Sequence, residues 1–485
     1  MSASSTLSGK GAVRKPLDQL LNGIIMDLHR RSATLAKTPA KMFVDAQLFL
    51  GAEFDRASET SVRSGFAKGL AERVSSYSGN GSLILDFVNT RRVLLLCPGG
   101  LEHGGGIGRQ MGYFLSAAPQ AAETPAYCVI DTRGPWFLGS ARWRIPLSVL
   151  YLLAAASRIA WMGIAGRPSL IHANITGRGS TGRKLVLTAV ARAVALPYIL
   201  HVHDYDYAAD VSARGGMMRR LVRGMFAAAE QTIVLGTEAE RTLRAALALP
   251  DARVLVLPNA VPDPNPAPRA GVSVSGGSPV HLVFLGYLSA RKGVPELLEA
   301  LASPALTALS WRATLAGGGP VDEFRANATA LGLGDRVVFL GWIDQPAASA
   351  LCAAADILVL PSHAEGLAMS ILEGLAHGLA VVATPVGAHA EVIEPEQSGL
   401  LVPPGDVAAL SAALARVIAD KALRDRLRAG ARQRFLDRFD VRSYSTRLAR
   451  LHAGLLRGRS VQAGIEIEAR PDSGDRSRRS GRGRR

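Results

Sequence analysis

The 485-residue sequence predicts an α/β protein made of two doubly wound, Rossmann-like domains that face each other across a cleft. Two observations predict this fold. From Arg92 onwards, short apolar runs alternate with longer stretches of helix-like composition, as in parallel βαβ units with helices on both faces of each sheet. A segment rich in Pro, Gly and Ser separates six runs from a further six, which indicates a linker between two domains.

The apolar runs give the expected strands in order. Those before the linker are RVLLLC, AYCVID, SLIHAN, YILHV, TIVLG and RVLVLP. Those after it are HLVFLG, ATLAG, RVVFLG, DILVLP, AVVAT and GLLVPP. Ligands of open parallel sheets bind beyond the carboxyl ends of the strands, so the loops that follow these runs are where a site is expected.

The same pattern predicts the domain boundaries. Residues 1–89 are mixed and weakly patterned, and they form an N-terminal extension of unclear role. The expected divisions after it are a first Rossmann-like domain over 90–262, a linker over 263–279, a second Rossmann-like domain over 280–438, a helix over 439–458 that packs back on the first domain, and a basic, disordered tail over 459–485.

The formal net charge of the chain is +16, and part of it belongs to the tail. Residues 470–485 hold seven Arg and two Asp, a contribution of +5, which leaves +11 spread along the rest of the chain. No aromatic-rich RNA or DNA motif accompanies these charges, so no nucleic-acid partner is expected. A basic surface also suits phosphorylated substrates and an anionic membrane surface, and this interpretation is favoured.

The cysteines and the N-terminus bear on the compartment. Cys97, Cys128 and Cys352 have no paired spacing, so neither a disulfide framework nor a zinc site is expected, and a reducing compartment fits. The N-terminal residues lack the apolar core of a signal peptide. A cytoplasmic location is therefore the expectation.

One stretch, residues 145–166, is nearly long enough to span a bilayer. Pro146, Arg158 and several small residues argue against a spanning helix. The favoured interpretation is a packed helix with one side toward the membrane, so that the protein is peripheral on the inner face of the plasma membrane.

The stretch EGLAMSILEGLAHG places Glu365 and Glu373 eight residues apart in otherwise apolar surroundings. DILVLPS is an expected strand, so Glu365 lies in the loop that follows, and a helix that begins near Leu367 carries Glu373 about two turns inside. The two carboxylates are then on the order of 12 Å apart along the helix axis, from the rise per residue. This separation is too large for the carboxylate pair of a retaining glycosidase, and it matches the span from the sugar to the ribose of a nucleotide sugar.

The loop itself predicts an anion site. N–H groups at the start of a helix have no intrahelical partner and carry partial positive charge, which suits a diphosphate. The residues expected to line this site are Gly366, Leu367, Ala368 and Met369. Glu365 is then expected to accept hydrogen bonds from sugar hydroxyls, and Glu373 from ribose hydroxyls.

A second loop adds positive charge. The stretch FLGYLSARKGVPELLEAL ends a strand and then carries Arg291 and Lys292. Two cations at a strand edge can neutralise the charge that develops on a leaving diphosphate. The alternative for both loops is ordinary solvated side chains, and their shared placement at strand ends favours function.

Together these residues resemble the retaining glycosyltransferases of family 4, which have the GT-B fold. The E-x7-E pattern of that family is matched by Glu365 and Glu373, and its G-x-L-x-x-x-K-G pattern is matched by GYLSARKG. Further matching stretches are VLPNAVP, LAGGGP, VVFLGWI, GLAVVATPVGAHAEVI and SGLLVPPGD. The resemblance covers about residues 92–456 and is most specific from Gly286 to Asp406.

The chain departs from the family at one position. Family members often have Arg directly after the first Gly of the second pattern, where this chain has Tyr287. Arg291 is therefore expected to serve the phosphate in place of that residue.

The resemblance implies a role for each domain and for particular residues. The second domain is expected to bind a nucleotide-sugar donor, and the first mainly the acceptor. The implied catalytic residues are His203, Glu365, Lys292 and Arg291. Besides Glu373 and the anion-site residues, the implied donor-binding residues are Gly105 and Gly106 in HGGGIGRQ and Gly317 in LAGGGP. Trp342, after FLG, is a further donor-binding candidate near the nucleotide base, and core packing is the alternative for it.

The stretch ILHVHDYD contains two histidines and a possible metal motif. Strand alternation points His201 and His203 to one face, and the strand-end position places His203 in the cleft. Asp204 and Asp206 mimic the D-x-D of metal-dependent glycosyltransferases, but the surrounding pattern is not theirs. No metal or other cofactor is expected.

These features predict a metal-independent hexosyltransferase that moves a sugar from a UDP- or GDP-sugar to an acceptor with retention of configuration. A lipid-linked saccharide acceptor and a role in bacterial cell-surface polysaccharide assembly fit the basic charge and the apolar helix. Two alternatives stay open. One is a GT-B enzyme without transfer, such as a nucleotide-sugar epimerase or a phosphorylase-like enzyme. The other is a nucleic-acid-binding or scaffold protein that acts through the basic tail.

Overall fold

The computed structural model describes residues 91–102, 105–119, 124–134, 141–165, 169–265 and 278–458. The expectations for residues 1–89, for most of the linker and for the tail over 459–485 lie outside the described residues.

The first domain is built on a six-stranded, fully parallel sheet with the strand order β2-β1-β3-β4-β5-β6. Its strands are β1 (Arg92–Cys97), β2 (Ala126–Asp131), β3 (Ser169–Ile175), β4 (Tyr198–Val202), β5 (Gln231–Val234) and β6 (Val254–Val256). Strands β1, β3 and β4 are almost entirely buried, because helices cover both faces of the sheet. The strand order reverses direction between β1 and β3, so the crevice of this domain opens there.

The helices of the first domain follow its strands. They are α1 (Gly105–Ala117), α2 (Ala141–Ile164), α3 (Gly179–Ala193), α4 (Tyr207–Ser212), α5 (Gly216–Ala227) and α6 (Thr237–Leu247). Helix α2 packs against α3, and α3 packs against α5. These three helices therefore lie side by side on one face of the sheet.

The second domain has a six-stranded parallel sheet with the order β12-β11-β10-β7-β8-β9. Its strands are β7 (Val280–Leu285), β8 (Trp311–Ala316), β9 (Val337–Gly341), β10 (Ile357–Leu360), β11 (Ala380–Ala383) and β12 (Gly399–Leu401). Read from the other edge, this is the 3-2-1-4-5-6 order of a Rossmann fold. Its switch point lies between β7 and β10.

The helices of the second domain connect these strands and close the chain. They are α7 (Val294–Leu301), α8 (Pro304–Thr307), α9 (Val321–Ala330), α10 (Gln345–Ala354), α11 (Met369–Ala376), α12 (His389–Val392), α13 (Val407–Ala419), α14 (Lys421–Arg438) and α15 (Val441–Leu456). Short 3₁₀ turns precede three elements, at Asp251–Arg253, Ala290–Lys292 and Gly334–Arg336.

Aspartate side chains set the start of four late helices. Asp344, Asp406, Asp420 and Asp440 each accept a hydrogen bond from a backbone N–H in the first turn of the helix that follows. Such an N-cap satisfies a donor that would otherwise have no intrahelical partner. The cap at Asp440 divides α14 from α15.

Helix α15 returns the chain to the first domain. The N–H of Val261 donates to the carbonyl of Phe439, and the N–H of Val441 donates to the carbonyl of Val261. Tyr444 and Leu448 then pack in one apolar cluster with strands and helix α1 of the first domain. The two Rossmann-like domains are therefore joined at two places along the sequence.

All twelve apolar runs form strands, and the prediction of two parallel α/β domains is confirmed. One local expectation is wrong. The helix after Glu365 begins at Met369 and not near Leu367, so Glu373 lies about one turn inside it instead of two.

Candidate active site

The switch point of the second sheet brings the two charged loops together. The N–H of His363, after β10, donates to the carbonyl of Arg291, after β7, at 2.8 Å. Gly293 has φ +70°, and a Cβ on it would lie 2.0 Å from the carbonyl oxygen of Pro361. Only glycine fits such an approach, so the RKG stretch fixes the distance between the loops.

A compact ion cluster lies where these loops meet. Glu365 Oε1 is 2.9 Å from Arg291 Nη1 and 2.5 Å from Lys292 Nζ. Arg291 Nη1 also donates to the carbonyl of Ala364 at 2.6 Å. Burial lowers the pKa of Lys292, and the adjacent Glu365 carboxylate opposes that shift. The cluster has two cations against one carboxylate, so it suits an added anion.

A buried contact with His389 explains the later start of helix α11. The N–H of Ala368 donates to His389 Nε2 at 3.3 Å, and Ala368 keeps an extended conformation as the N-cap residue. The sequence pattern could not reveal this, because His389 belongs to the next helix. The N–H of Ala368 already donates to His389, so it is not available to an anion at this loop. The helix itself begins one residue later, at Met369.

Two glycines shape the loop that carries Glu365. A Cβ on Gly366 would lie 3.0 Å from the carbonyl oxygen of His203, in the first domain. Gly387 has φ +55°, and its Cβ would lie 2.0 Å from the carbonyl oxygen of Glu365. The loop is therefore held between the first domain and the turn after β11, with no room for a side chain on either side.

Glu373 makes a contact that joins the two domains. Its Oε1 lies 3.1 Å from Nη1 of Arg109, on helix α1 of the first domain, and accepts a longer bond of 3.4 Å from Gln345. The residue is only 7% exposed. Burial raises the pKa of Glu373, while Arg109 and Gln345 act in the opposite direction. Arg109 thus pairs with a buried carboxylate across the cleft and opposes its protonation.

His203 lies at the end of β4, and its ring is oriented by Asn174. His203 Nε2 is 2.8 Å from Asn174 Oδ1, while Asn174 Nδ2 lies 3.4 Å from the carbonyl of Leu96. The amide therefore presents its oxygen to the ring, so the histidine donates from Nε2 and keeps its lone pair on Nδ1. Burial lowers the pKa of His203 to about 3, which leaves the imidazole neutral at physiological pH.

His201 does not share the cleft with His203. Its Nδ1 lies 3.2 Å from Nε2 of His172, and His172 Nδ1 lies 3.0 Å from Nε2 of His452 on α15. All three rings are fully buried, and the rings of His201 and His203 are 4.1 Å apart between centroids. A row of buried histidines therefore leads from α15 to the ring of His203.

The other predicted donor residues fall at the carboxyl edges of the two sheets. Gly105, with φ +59°, and Gly106 begin α1 and have open space where a Cβ would be. A Cβ on Gly317 would lie 1.7 Å from the carbonyl oxygen of Gly286, so Gly317 allows the β7 and β8 loops to touch. Trp342, directly after β9, is 76% exposed and is not part of the core.

The two aspartates of the DYD segment, Asp204 and Asp206, have structural positions within the first domain. Asp204 Oδ2 accepts a hydrogen bond from the N–H of Gly177 at 2.6 Å. Asp206 directly precedes helix α4. Within the described ranges, no group of three or more His, Cys, Asp or Glu side chains is arranged to hold a metal ion.

Four residues at the site were not singled out by sequence. Arg109 and Gln345 hold Glu373, Asn174 orients His203, and His389 caps the start of α11. Arg109 lies inside the HGGGIGRQ stretch, so the sequence could have predicted that it lies near the cleft. The partners of the other residues depend on the tertiary fold.

The geometry defines the class of protein. Two Rossmann-like domains face one cleft, which is the GT-B architecture, and the second presents two cations and two carboxylates near its switch point. Comparison with known families gives the same result. Residues 105–260 match the family model described as glycosyl transferase 4-like domain, and residues 273–434 match glycosyl transferases group 1. The chain belongs to the group 1 family of GT-B glycosyltransferases.

The similar curated proteins are glycosyltransferases that carry different names. The chain is 29% identical to 2-deoxystreptamine N-acetyl-D-glucosaminyltransferase of Streptomyces fradiae, over 57% of this chain and 69% of that protein. It is 31% identical to 2-deoxystreptamine glucosyltransferase of Streptomyces kanamyceticus, over 52% of this chain and 69% of that protein. It is 32% identical to the lipopolysaccharide core biosynthesis mannosyltransferase LpcC of Rhizobium leguminosarum, over 33% of this chain and 47% of that protein.

Solved structures share the fold. Sucrose-phosphate synthase from Thermosynechococcus elongatus superposes with a TM-score of 0.61 at 21% identity, over 76% of this chain and 100% of that chain. Anabaena HepE in complex with UDP-glucose superposes with a TM-score of 0.57 at 20% identity, over 76% of this chain and 99% of that chain.

Proposed function

We propose that this glycosyltransferase moves a sugar from a UDP- or GDP-sugar to an acceptor with retention of configuration. The observation that carries the proposal is the cluster of Arg291, Lys292 and Glu365 at the switch point of the second sheet. A diphosphate suits the two cations, and the carboxylates suit sugar and ribose hydroxyls. The bound UDP-glucose in HepE, a protein of the same fold, supports a nucleotide-sugar donor.

Each part of the donor has an assigned place. The diphosphate lies on Lys292, Arg291 and the first turn of α11, where unpaired N–H groups favour an anion. Glu365 accepts hydrogen bonds from the sugar, and Glu373 accepts them from the ribose. Trp342, exposed at the end of β9, lies beside the base.

The chemistry follows from charge and from the neutral imidazole. The acceptor hydroxyl attacks the anomeric carbon on the face from which the diphosphate departs, so the new carbon–oxygen bond has the configuration of the old one. The hydroxyl proton passes to an oxygen of the leaving phosphate. Lys292 and Arg291 stabilise the negative charge that develops there, the task that a metal ion performs in metal-dependent enzymes. His203 accepts a hydrogen bond from a donor sugar hydroxyl at Nδ1.

The acceptor is proposed to be a lipid-linked saccharide, in cell-surface polysaccharide assembly on the cytoplasmic side of the membrane. The Rhizobium leguminosarum relative acts in lipopolysaccharide core biosynthesis, which supports a role of this kind. The basic charge of the chain, +16, also suits a phosphorylated lipid carrier.

A thermal-shift screen followed by product analysis tests the proposal. Ligands that bind only the folded state raise its melting temperature, so a panel of UDP- and GDP-sugars should reveal the donor. Transfer from that donor, in excess chelator, should give a product with the anomeric configuration of the donor, read from its proton NMR coupling. An inverted product would contradict retention. Activity that is lost in chelator and restored by manganese would contradict metal independence.

The same product analysis separates the non-transferring alternative. An epimerase converts the donor into a second nucleotide sugar when no acceptor is present, and a phosphorylase-like enzyme requires inorganic phosphate. Formation of either product without a new glycosidic bond would replace the proposed reaction.

A further inference from the structure

Helices α2, α3 and α5 form a continuous surface on the first domain, here called the three-helix face. Of the sixteen large hydrophobic side chains that are exposed in the described part of the chain, nine lie on these helices. They are Ile145, Val149, Leu150, Leu153, Trp161, Ile164, Val186, Met217 and Leu221. Soluble surfaces seldom gather apolar side chains in this way without a partner.

Helix α2 contributes most of this apolar surface, and its exposed residues lie on one side. With 3.6 residues per turn, its six exposed apolar side chains fall within an arc of about 160°. Ile145, in the second turn of the helix, is 75% exposed, and Ile164, its last residue, is 79% exposed. The opposite side of the helix carries Ala155, Ile159 and Met162, which are buried in the core of the first domain.

The packing of helix α2 indicates whether this helix lies on a membrane or crosses it. Residues Ile145–Ile164 are long and apolar enough to cross a bilayer by length and composition. However, a spanning α2 would have to withdraw Ile159 and Met162 from the core of the first domain. A helix with one face in a protein core and the other face apolar fits the interfacial arrangement.

The charge of the three-helix face has one sign. Each of the three helices contains three Arg or Lys residues and no Asp or Glu. Among the side chains that the structure describes on these helices, the exposed cations are Arg158, Arg192, Arg219, Arg220 and Arg223. A second copy of this surface would oppose these charges with identical ones, whereas an anionic partner would neutralise them. RNA or DNA would neutralise them too, but would leave the leucine and isoleucine side chains without an apolar environment.

We propose that the three-helix face docks on an anionic lipid bilayer, with the apolar side chains of α2 in the interface and the arginines of α5 at the headgroups. Helices α2 and α3 follow strands β2 and β3 and run antiparallel to them, so the N-terminal ends of these two helices lie at the carboxyl edge of the sheet, beside the cleft. Docking therefore holds the cleft at the membrane surface. The proposal rests on the surface alone and does not depend on the proposed transfer reaction.

Vesicle binding of the full chain tests the proposal. The chain is sedimented with vesicles of phosphatidylcholine alone or of phosphatidylcholine mixed with phosphatidylglycerol. It should bind the mixed vesicles and be largely released at about 1 M salt, where charges are screened beyond a few ångströms. Leu150→Glu with Leu153→Glu should weaken binding about tenfold or more, because carboxylates replace the inserted side chains. Substitution of Arg219, Arg220 and Arg223 by Ser should remove the preference for phosphatidylglycerol.

A matched pair on the second domain is the control. Val338 and Leu340, exposed on edge strand β9, are replaced by Glu together, and this variant should bind vesicles like the unmodified chain. Without vesicles, both double variants should bind the donor as tightly as the unmodified chain does. A loss of vesicle binding can then be told apart from a failure of the proposed transfer reaction.

Several results would overturn the proposal. These are absent vesicle binding by the full chain, equal losses in the two double variants, and RNA binding as tight as vesicle binding. If Leu150→Glu with Leu153→Glu turned a dimer into a monomer, a second copy would be the occupant. If it lowered the melting temperature without vesicles while the control did not, a segment of the chain itself would cover the face.

Discussion

At the scale of single residues, Arg109 has a role that is specific to the ionisation of Glu373. Burial raises the pKa of Glu373, and Arg109, at 3.1 Å, opposes the rise. Without the guanidinium, the carboxyl group should take up a proton at a higher pH. A protonated carboxyl group is a poorer acceptor for ribose hydroxyls, because hydrogen bonds to a charged group are worth about 1.5–3 kcal/mol.

Arg109→Gln should therefore make nucleoside diphosphate binding sensitive to pH. We expect affinity at pH 6 to be about tenfold weaker than at pH 8 in this variant, since lower pH protonates the unpaired carboxylate. The unmodified protein should change much less. Titration calorimetry at both pH values makes the measurement, with Arg426→Gln on the exposed side of α14 as the matched control. The additional pH dependence caused by Arg109→Gln should vanish when Glu373→Gln is added, and its persistence there would refute the assignment.

Gly387 offers a second test at this scale, because it supports the loop that carries Glu365. Gly387 and Gly332 both have positive φ, +55° and +70°, so alanine at either position should cost about 1–2 kcal/mol of backbone strain. Only at Gly387 would the new Cβ meet the carbonyl oxygens of Glu365 and Gly366, at 2.0 and 2.4 Å. Gly332→Ala has open space around it.

Gly387→Ala should thus lose turnover by about a hundredfold or more, while Gly332→Ala should lose stability but keep turnover. The measurement is the catalytic rate together with the melting temperature of each variant. Equal rates in the two variants would show that the position of the Glu365 loop does not control the reaction.

At the scale of elements, the row of buried histidines ties strands β3 and β4 to helix α15. Burial lowers the pKa of His203 and His452 to about 3, and the pKa of His172 and His201 lies well below its ordinary value of 6.5. Each ring is neutral in the folded protein and takes up a proton on unfolding below pH 6.5. The stability that these rings contribute is therefore complete above pH 6.5 and is lost as the pH falls from 6.5 toward 3.

Each such histidine should lower the free energy of unfolding by about 1.4 kcal/mol per pH unit in that range. Urea unfolding between pH 5 and pH 7 measures the slope. His452→Phe should make the slope shallower by about one proton, whereas Tyr444→Phe, on the same helix, should leave it unchanged because tyrosine does not titrate in this pH range. A slope that does not change in His452→Phe would mean that the row of rings does not govern acid stability.

The sequence predicted the strands and the loops that follow them better than any other feature of the structure. All twelve strands could be located, because each contains a short, mostly apolar run and is bounded by residues typical of turns and loops. The loops with Arg291, Lys292 and Glu365 could be placed near one another, since the carboxyl ends of parallel strands share an edge. The start of α11 at Met369 could not, because it depends on a hydrogen bond from Ala368 to His389, twenty-one residues further along.

The partners of the ion pairs in the site could likewise not be predicted from the sequence. Arg109 and Glu373 are separated by 264 residues, and their contact exists only once two domains are in place. The pairing of Glu365 with Lys292 depends in the same way on the approach of two loops that Gly293 allows. Local patterns fix which side chains reach the edge of a sheet, whereas their partners follow from tertiary packing.

At the scale of the whole molecule, we propose that two carboxylates bind opposite ends of one donor. Glu365 lies at the cations that would hold the diphosphate, and Glu373 lies one helical turn inside α11, linked to the first domain by Arg109. The sugar end of the donor should depend on the first carboxylate, and the nucleoside end on the second.

The most direct measurement of this division is the calorimetric affinity of Glu365→Gln and Glu373→Gln for the bare nucleoside diphosphate and for the intact donor, alongside turnover. Glu373→Gln should weaken both ligands about ten- to a hundredfold, since a hydrogen bond to a charged acceptor contributes about 1.5–3 kcal/mol. Glu365→Gln should leave the bare diphosphate almost unchanged while turnover falls steeply. If Glu365→Gln weakens the bare diphosphate as much as Glu373→Gln does, the proposed division of the donor between the two glutamates is contradicted.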